Sequence, residues 1–140
     1  MKTLKVLSLI MLAMVLVCNG AYAKENAKET QVEVIVFHGV KQCQTCEAIK
    51  KNTKEVVESQ FKNPGKDKKV VYKVVDFSKP ENKKLAEKYE IAWTSVVLVK
   101  HAPDGKEVVN NISKFAIENA RTNTEVYRKQ LADDITKLLN

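Results

Sequence analysis

The sequence predicts an α/β fold of order β-α-β-α-β-β-α, a central mixed four-stranded sheet with helices on both faces. Three observations carry it. A helical stretch separates the first two apolar strands, so they run parallel through a right-handed crossover. The last two strands flank Pro103-Asp104-Gly105, a hairpin turn signal. A helical segment with a capping pattern closes the chain.

Gln31 to Phe37 is the first strand, and its continuous apolar end suits a strand buried on both faces. Cys43 to Phe61 has helical periodicity, with Ile49, Thr53, Val56, Val57, Gln60 and Phe61 near one face. Asn63-Pro64-Gly65 stops it, and Lys66-Asp67-Lys68-Lys69 reads as a loop. Val70 to Phe77 is the second strand. Ser78, Pro80 and Glu81 then start a helix, Ser78 as cap and Pro80 in the first turn, with Leu85, Ala86 and Tyr89 as its apolar stripe. Ile91 to Lys100 is the third strand and Lys106 to Ile112 the fourth. Thr122 and Glu125 form a capping box for a last helix that buries Val126, Leu131, Ile135, Leu138 and Leu139.

The chain has 140 residues, 44% hydrophobic and 29% charged, which suits one domain with a real core and excludes a disordered tail. Its three cysteines exclude a disulfide-stapled miniature scaffold. Residues 1–23 have the pattern of a signal peptide: Lys2 and Lys5, an uncharged run from Val6 to Val17, then Ala21-Tyr22-Ala23 as a cleavage site. The run is shorter than the roughly 20 residues a spanning helix needs, so no stable membrane anchor is expected. Cys18 offers a competing lipoprotein reading, against which Val17 stands where a small residue belongs. A cut after Ala23 removes Lys2 and Lys5 and lowers the formal net charge from +7 to +5, leaving residues 24–140 as the domain. Periplasmic or secreted localisation follows, in an oxidising compartment. Lys24 to Thr30 is polar and expected to fray. The positive charge alternates with Glu along helical faces, and no aromatics interleave with it, so nucleic acid is not an expected partner.

Cys43 and Cys46 are the two cysteines left after that cut, three positions apart at a strand-to-helix junction. A helix N-terminus has unpaired N–H groups and partial positive charge, which favour a thiolate over a thiol. A free cysteine titrates near 8.5, and such sites reach roughly 3.5–7.5. Cys43, at the helix edge, is the expected attacking thiolate. Cys46, one turn in, is the expected resolving thiol. Lys41, Lys50 and Lys51 add positive charge and Glu47 opposes it. A static disulfide closing so short a loop would contribute little. A zinc site would draw on Cys43, Cys46, His38 and His101, but His101 lies roughly 20 Å along the third strand from Ser95. That disfavours a closed intramolecular site and leaves a dimeric or transient one open.

Over nearly all of residues 24–140 the chain resembles the thioredoxin-like superfamily. The resemblance is carried by the C-x-x-C after strand one and by Val75-Asp76-Phe77 with Leu85-Ala86-Glu87-Lys88-Tyr89-Glu90-Ile91. It implies a thiol–disulfide oxidoreductase with Cys43 as nucleophile and Cys46 as resolving thiol, and it implies no cofactor. The partner would be a redox protein or a small thiol, and the chain a monomer. Three features depart from the family. Ser95 aligns with the family's cis-proline, and a cis bond before a non-proline residue costs about 2.5–4 kcal/mol, so Thr94–Ser95 is expected to be trans. Lys41-Gln42-Cys43-Gln44-Thr45-Cys46 replaces the Trp-Cys-Gly-Pro-Cys signature. Val36 and Phe37 stand where thioredoxin has a buried acid, so protons of Cys46 need another group; Glu47 and His38 are near in sequence. Phe37-His38-Gly39 is also similar to a narrower group of small exported bacterial thioredoxin-like proteins, some described as subunits linked to reduction of nitrophenyl compounds and organoarsenicals.

Trp93, Thr94 and Ser95 are the candidate substrate-binding residues: Trp93 as an apolar docking surface, or else as core, and the two hydroxyls as hydrogen-bond groups. Two other classes stay in play. One is a binding module whose dithiol holds a metal or metalloid. The other is a redox-silent interaction domain using the Trp93 edge.

Overall fold

The central strand, β1 (Thr30–His38), is apolar on both sides. Val32, Val34 and Val36 point to one face and Ile35 and Phe37 to the other, all at most 1% exposed. The computed structural model describes residues 29–65 and 67–140; the signal-peptide reading of residues 1–23 lies outside them. β2 (Lys68–Asp76) runs parallel to β1, β3 (Ser95–His101) antiparallel to it, and β4 (Glu107–Asn111) antiparallel to β3. The sheet order is β2-β1-β3-β4, one mixed four-stranded sheet.

Four α-helices are present among the described residues: α1 (Gln44–Gln60), α2 (Lys83–Lys88), α3 (Ser113–Asn119) and α4 (Thr124–Leu139). α1, α3 and α4 cover one face through Ile49, Val56, Ala116, Tyr127, Leu131 and Ile135. The short α2 covers part of the other, through Leu85 and Tyr89 against Ile35, Phe37 and Val97. Fully burying a side chain such as Ile49, Leu131 or Ile135 is worth about 1.5–3 kcal/mol relative to exposure. Among the described residues no helix is long and apolar enough to cross a membrane.

The hairpin turn forms as expected, with Gly105 at φ 86°, a conformation that favours glycine. Several boundaries differ from the sequence reading. Lys68 and Lys69 belong to β2, not to a loop. β3 starts at Ser95, not Ile91. The cause lies at the end of α2, where Glu90 takes φ 55°. Its N–H reaches Glu87 O, and the Ile91 N–H reaches Ala86 O at 2.8 Å. This is a Schellman closure with glutamate in the glycine position. It packs Ile91 onto the core and turns Ala92–Thr94 into a bend.

Capping differs as well. Ser78 donates its hydroxyl to Asp76 Oδ1, so it is spent on a turn, and α2 begins through a 3₁₀ turn at Pro80–Asn82 with no side-chain cap. α3 was not expected from the sequence; Asn111 Oδ1 accepts the Ser113 N–H and stabilises its start. Only four residues separate α3 from α4, and backbone bonds of helical type continue across them, so Thr122 never reaches a free helix end. Its hydroxyl donates to Glu118 O, and α4 starts at Thr124 without a side-chain cap. The buried stripe of α4 is Tyr127, Leu131, Ile135 and Leu139, at four-residue spacing. Val126 falls off that stripe and is 55% exposed, and Leu138 is half-buried.

Candidate active site

Cys43 is the N-cap of α1, in extended conformation at φ −102°, ψ 168°. Its sulfur accepts the Cys46 N–H at 3.3 Å, the bond that a capping serine oxygen would accept. The chain reaches this point from the end of β1 through Gly39, where an added Cβ would lie 3.1 Å from the Phe77 ring. Cys43 is exposed and Cys46 buried, both as free thiols. The two sulfurs are 2.8 Å apart. The Cys46 thiol, followed by the N–H groups of Cys46 and Thr45, holds the Cys43 thiol below the usual cysteine range. That is the direction a nucleophilic thiolate requires.

The Cys46 sulfur touches the Thr94 hydroxyl at 3.3 Å. The resemblance implies Ser95 as the residue facing the cysteines. Because the bend precedes β3, Thr94 presents its hydroxyl there. Ser95 is buried opposite Phe37 and donates to Trp93 O at 2.9 Å. No peptide bond among the described residues is cis. Trp93 is 64% exposed, so core packing is not its role. With Ser95, Ser113, Lys114 and Ile117 it lines an open groove of about 480 Å³.

Neither group considered for proton transfer faces a sulfur through a hydrogen bond. His38 Nδ1 donates to Gly39 O at 2.9 Å, and Glu47 pairs with Lys50 at 2.9 Å. His101 lies at the far end of the sheet, opposite Gln31 in the register. Among the described residues no group of three or more His, Cys, Asp or Glu side chains is arranged to hold a metal. The adjacent Cys43 and Cys46 sulfurs remain a pair of soft donors. Val40, 79% exposed, adds apolar surface in the loop before Cys43. Sequence reasoning missed one contact at the site: Arg121 Nη1 donates to Gln44 Oε1 at 3.0 Å, across 77 residues.

No protein-family model matches this chain, and no curated protein matches it. A solved structure described as "Structure of a malarial protein" is 18% identical and is matched over 66% of this chain and 98% of its own, with a TM-score of 0.38. A likeness at that score carries no argument about fold or function.

Proposed function

We propose that this chain is a thioredoxin-like thiol–disulfide exchange module, exported, with Cys43–Cys46 as its redox couple. The observation that carries the reading is an exposed helix-capping Cys43 with the buried Cys46 sulfur 2.8 Å away. The strand order β2-β1-β3-β4, with the pair at the β1-to-α1 junction, supports the thioredoxin-like assignment.

The Cys43 thiolate attacks one sulfur of a partner disulfide. The partner's S–S bond breaks, its departing sulfur takes a proton from solvent, and a mixed disulfide to Cys43 forms. Cys46 then loses its proton to water and attacks the Cys43 sulfur. The mixed disulfide breaks, the second partner thiol leaves, and Cys43–Cys46 holds the new disulfide. Two electrons pass from the dithiol to the partner, and the reverse sequence oxidises a dithiol partner. The relative potentials of the two couples set the direction. Thr94 can donate a hydrogen bond to the Cys46 sulfur as it becomes an anion. The exposed Trp93 and Val40 offer apolar surface to a polypeptide partner.

The test is Cys46→Ser. Without the resolving sulfur, mixed disulfides to Cys43 accumulate and are visible on non-reducing gels, and Cys43→Ser abolishes them. If Cys46→Ser forms no adduct with a model disulfide, or the native pair carries stoichiometric soft metal and exchanges nothing, the exchange reading fails.

A further inference from the structure

Two turns beyond the cysteines, α1 is locked to the helical corner that follows α3. Asn52, 5% exposed, donates from Nδ2 to Ala120 O at 2.9 Å and accepts from Arg128 Nε and Nη2 at 3.0 and 2.7 Å. Beside it the Thr53 and Tyr127 hydroxyls meet at 2.6 Å. Ala120 is fully buried and is the C-cap of α3. Arg121 is the next residue. It therefore leaves a fixed point, and its guanidinium returns to Gln44, the first residue of α1 and the covalent neighbour of Cys43. Among the described residues no carboxylate forms an ion pair with Arg121, whereas Lys50 is committed to Glu47 and Gln42. A guanidinium stays charged throughout the range in which thiols titrate.

We infer that Arg121 is a positioning residue for the redox pair: through Gln44 it holds the dipeptide between the cysteines and fixes a permanent positive charge at the mouth of α1, favouring the Cys43 thiolate. The inference rests on the exchange reading and names a determinant of its first step. Because the contact is exposed, its effect is modest. A rise of about half a pKa unit cuts the thiolate fraction about threefold at pH values well below the thiol pKa and leaves it unchanged well above it.

The test measures iodoacetamide alkylation of Cys43 against pH in the reduced chain, for native protein, Arg121→Gln, Gln44→Ala and the double variant. Each single variant is expected to slow alkylation about threefold at pH values well below the Cys43 pKa and to leave it unchanged near pH 10. The double variant is expected to be no slower than either single one. A pH profile of Arg121→Gln that overlays the native profile overturns the inference, and so do effects that multiply in the double variant. Disulfide exchange by the native chain is assayed separately. No exchange together with a shifted profile removes the exchange reading alone, and normal exchange with an unshifted profile removes Arg121 alone.

Discussion

Thr94 touches the Cys46 sulfur, which in the proposed exchange resolves the mixed disulfide, in a site too buried for free solvation. A hydrogen bond to a charged group is worth about 1.5–3 kcal/mol. If half of the lower figure is realised in the transition state, Thr94→Val lengthens the lifetime of the mixed disulfide by several-fold, since each 1.36 kcal/mol is about tenfold in rate. Acid-quenched time courses measure it. Thr94→Ser should restore the native lifetime, and an unchanged lifetime in Thr94→Val would remove the hydroxyl from the mechanism. The first step carries its own pH dependence. With the Cys43 thiol held low, attack on a disulfide persists below the usual thiol range and fades as pH falls through that lowered value. The proximity of Cys43 and Cys46 was legible in the sequence because three residues of helix place both sulfurs on one turn. The offset from Ser95 to Thr94 was not, because one bend shifts which hydroxyl faces the site. Arg121 was illegible for a different reason: nothing local signals a contact that spans 77 residues.

At the scale of elements, strong periodicity was readable and termination was not. The two-sided burial of β1 and the turn at Pro103-Asp104-Gly105 are local signals, and both elements formed. The end of α2 was missed because a glutamate occupies a left-handed position that glycine usually marks. α3 was missed because its start uses Asn111, a residue already counted in a strand. The joints between elements are polar and can be tested. Asn52→Ala leaves the Ala120 carbonyl and the Arg128 guanidinium without their shared partner, and should cost about 2 kcal/mol in urea unfolding; a loss under half of that would show the joint to be slack. The far end of the sheet carries a chain of polar contacts, Lys73–Glu33–His101–Glu107–Lys88, crossing all four strands to α2. Burial alone would raise the Glu33 pKa, but the Lys73 hydrogen bond and charge, with His101 beside them, outweigh it and hold the carboxyl below its ordinary value. A depressed carboxylate contributes stability that is present above its unfolded value, near 4.5, and is lost as pH falls through the folded one. Glu33→Gln should therefore be less stable than native at pH 7 by about 1 kcal/mol, with the difference vanishing in acid. A constant difference from pH 7 to pH 2 would contradict the pairing.

At the scale of the whole molecule, folding and redox chemistry form one thermodynamic cycle. The fold lowers the Cys43 pKa, so it binds the reduced, ionised dithiol more tightly than an unfolded chain does. That preference contributes stability to the reduced protein and moves the couple in the oxidising direction relative to an unstructured dithiol, at about 1.4 kcal/mol per 30 mV for two electrons. The sign with pH follows. A thiol whose folded pKa is depressed contributes its full stability above the unfolded thiol value and loses it as pH falls through the folded one. The contribution of Cys43 to the stability gap between reduced and oxidised chains should therefore be widest above the ordinary thiol range and shrink on acidification. Parallel denaturant titrations of the two forms across pH measure that gap, and a redox titration against glutathione measures the potential independently. The two must agree through the cycle once the unfolded couple is measured. A reduced form that gains nothing on the oxidised form as pH rises through this window would mean that the mouth of α1 does not stabilise the Cys43 anion, whatever the distance between the sulfurs.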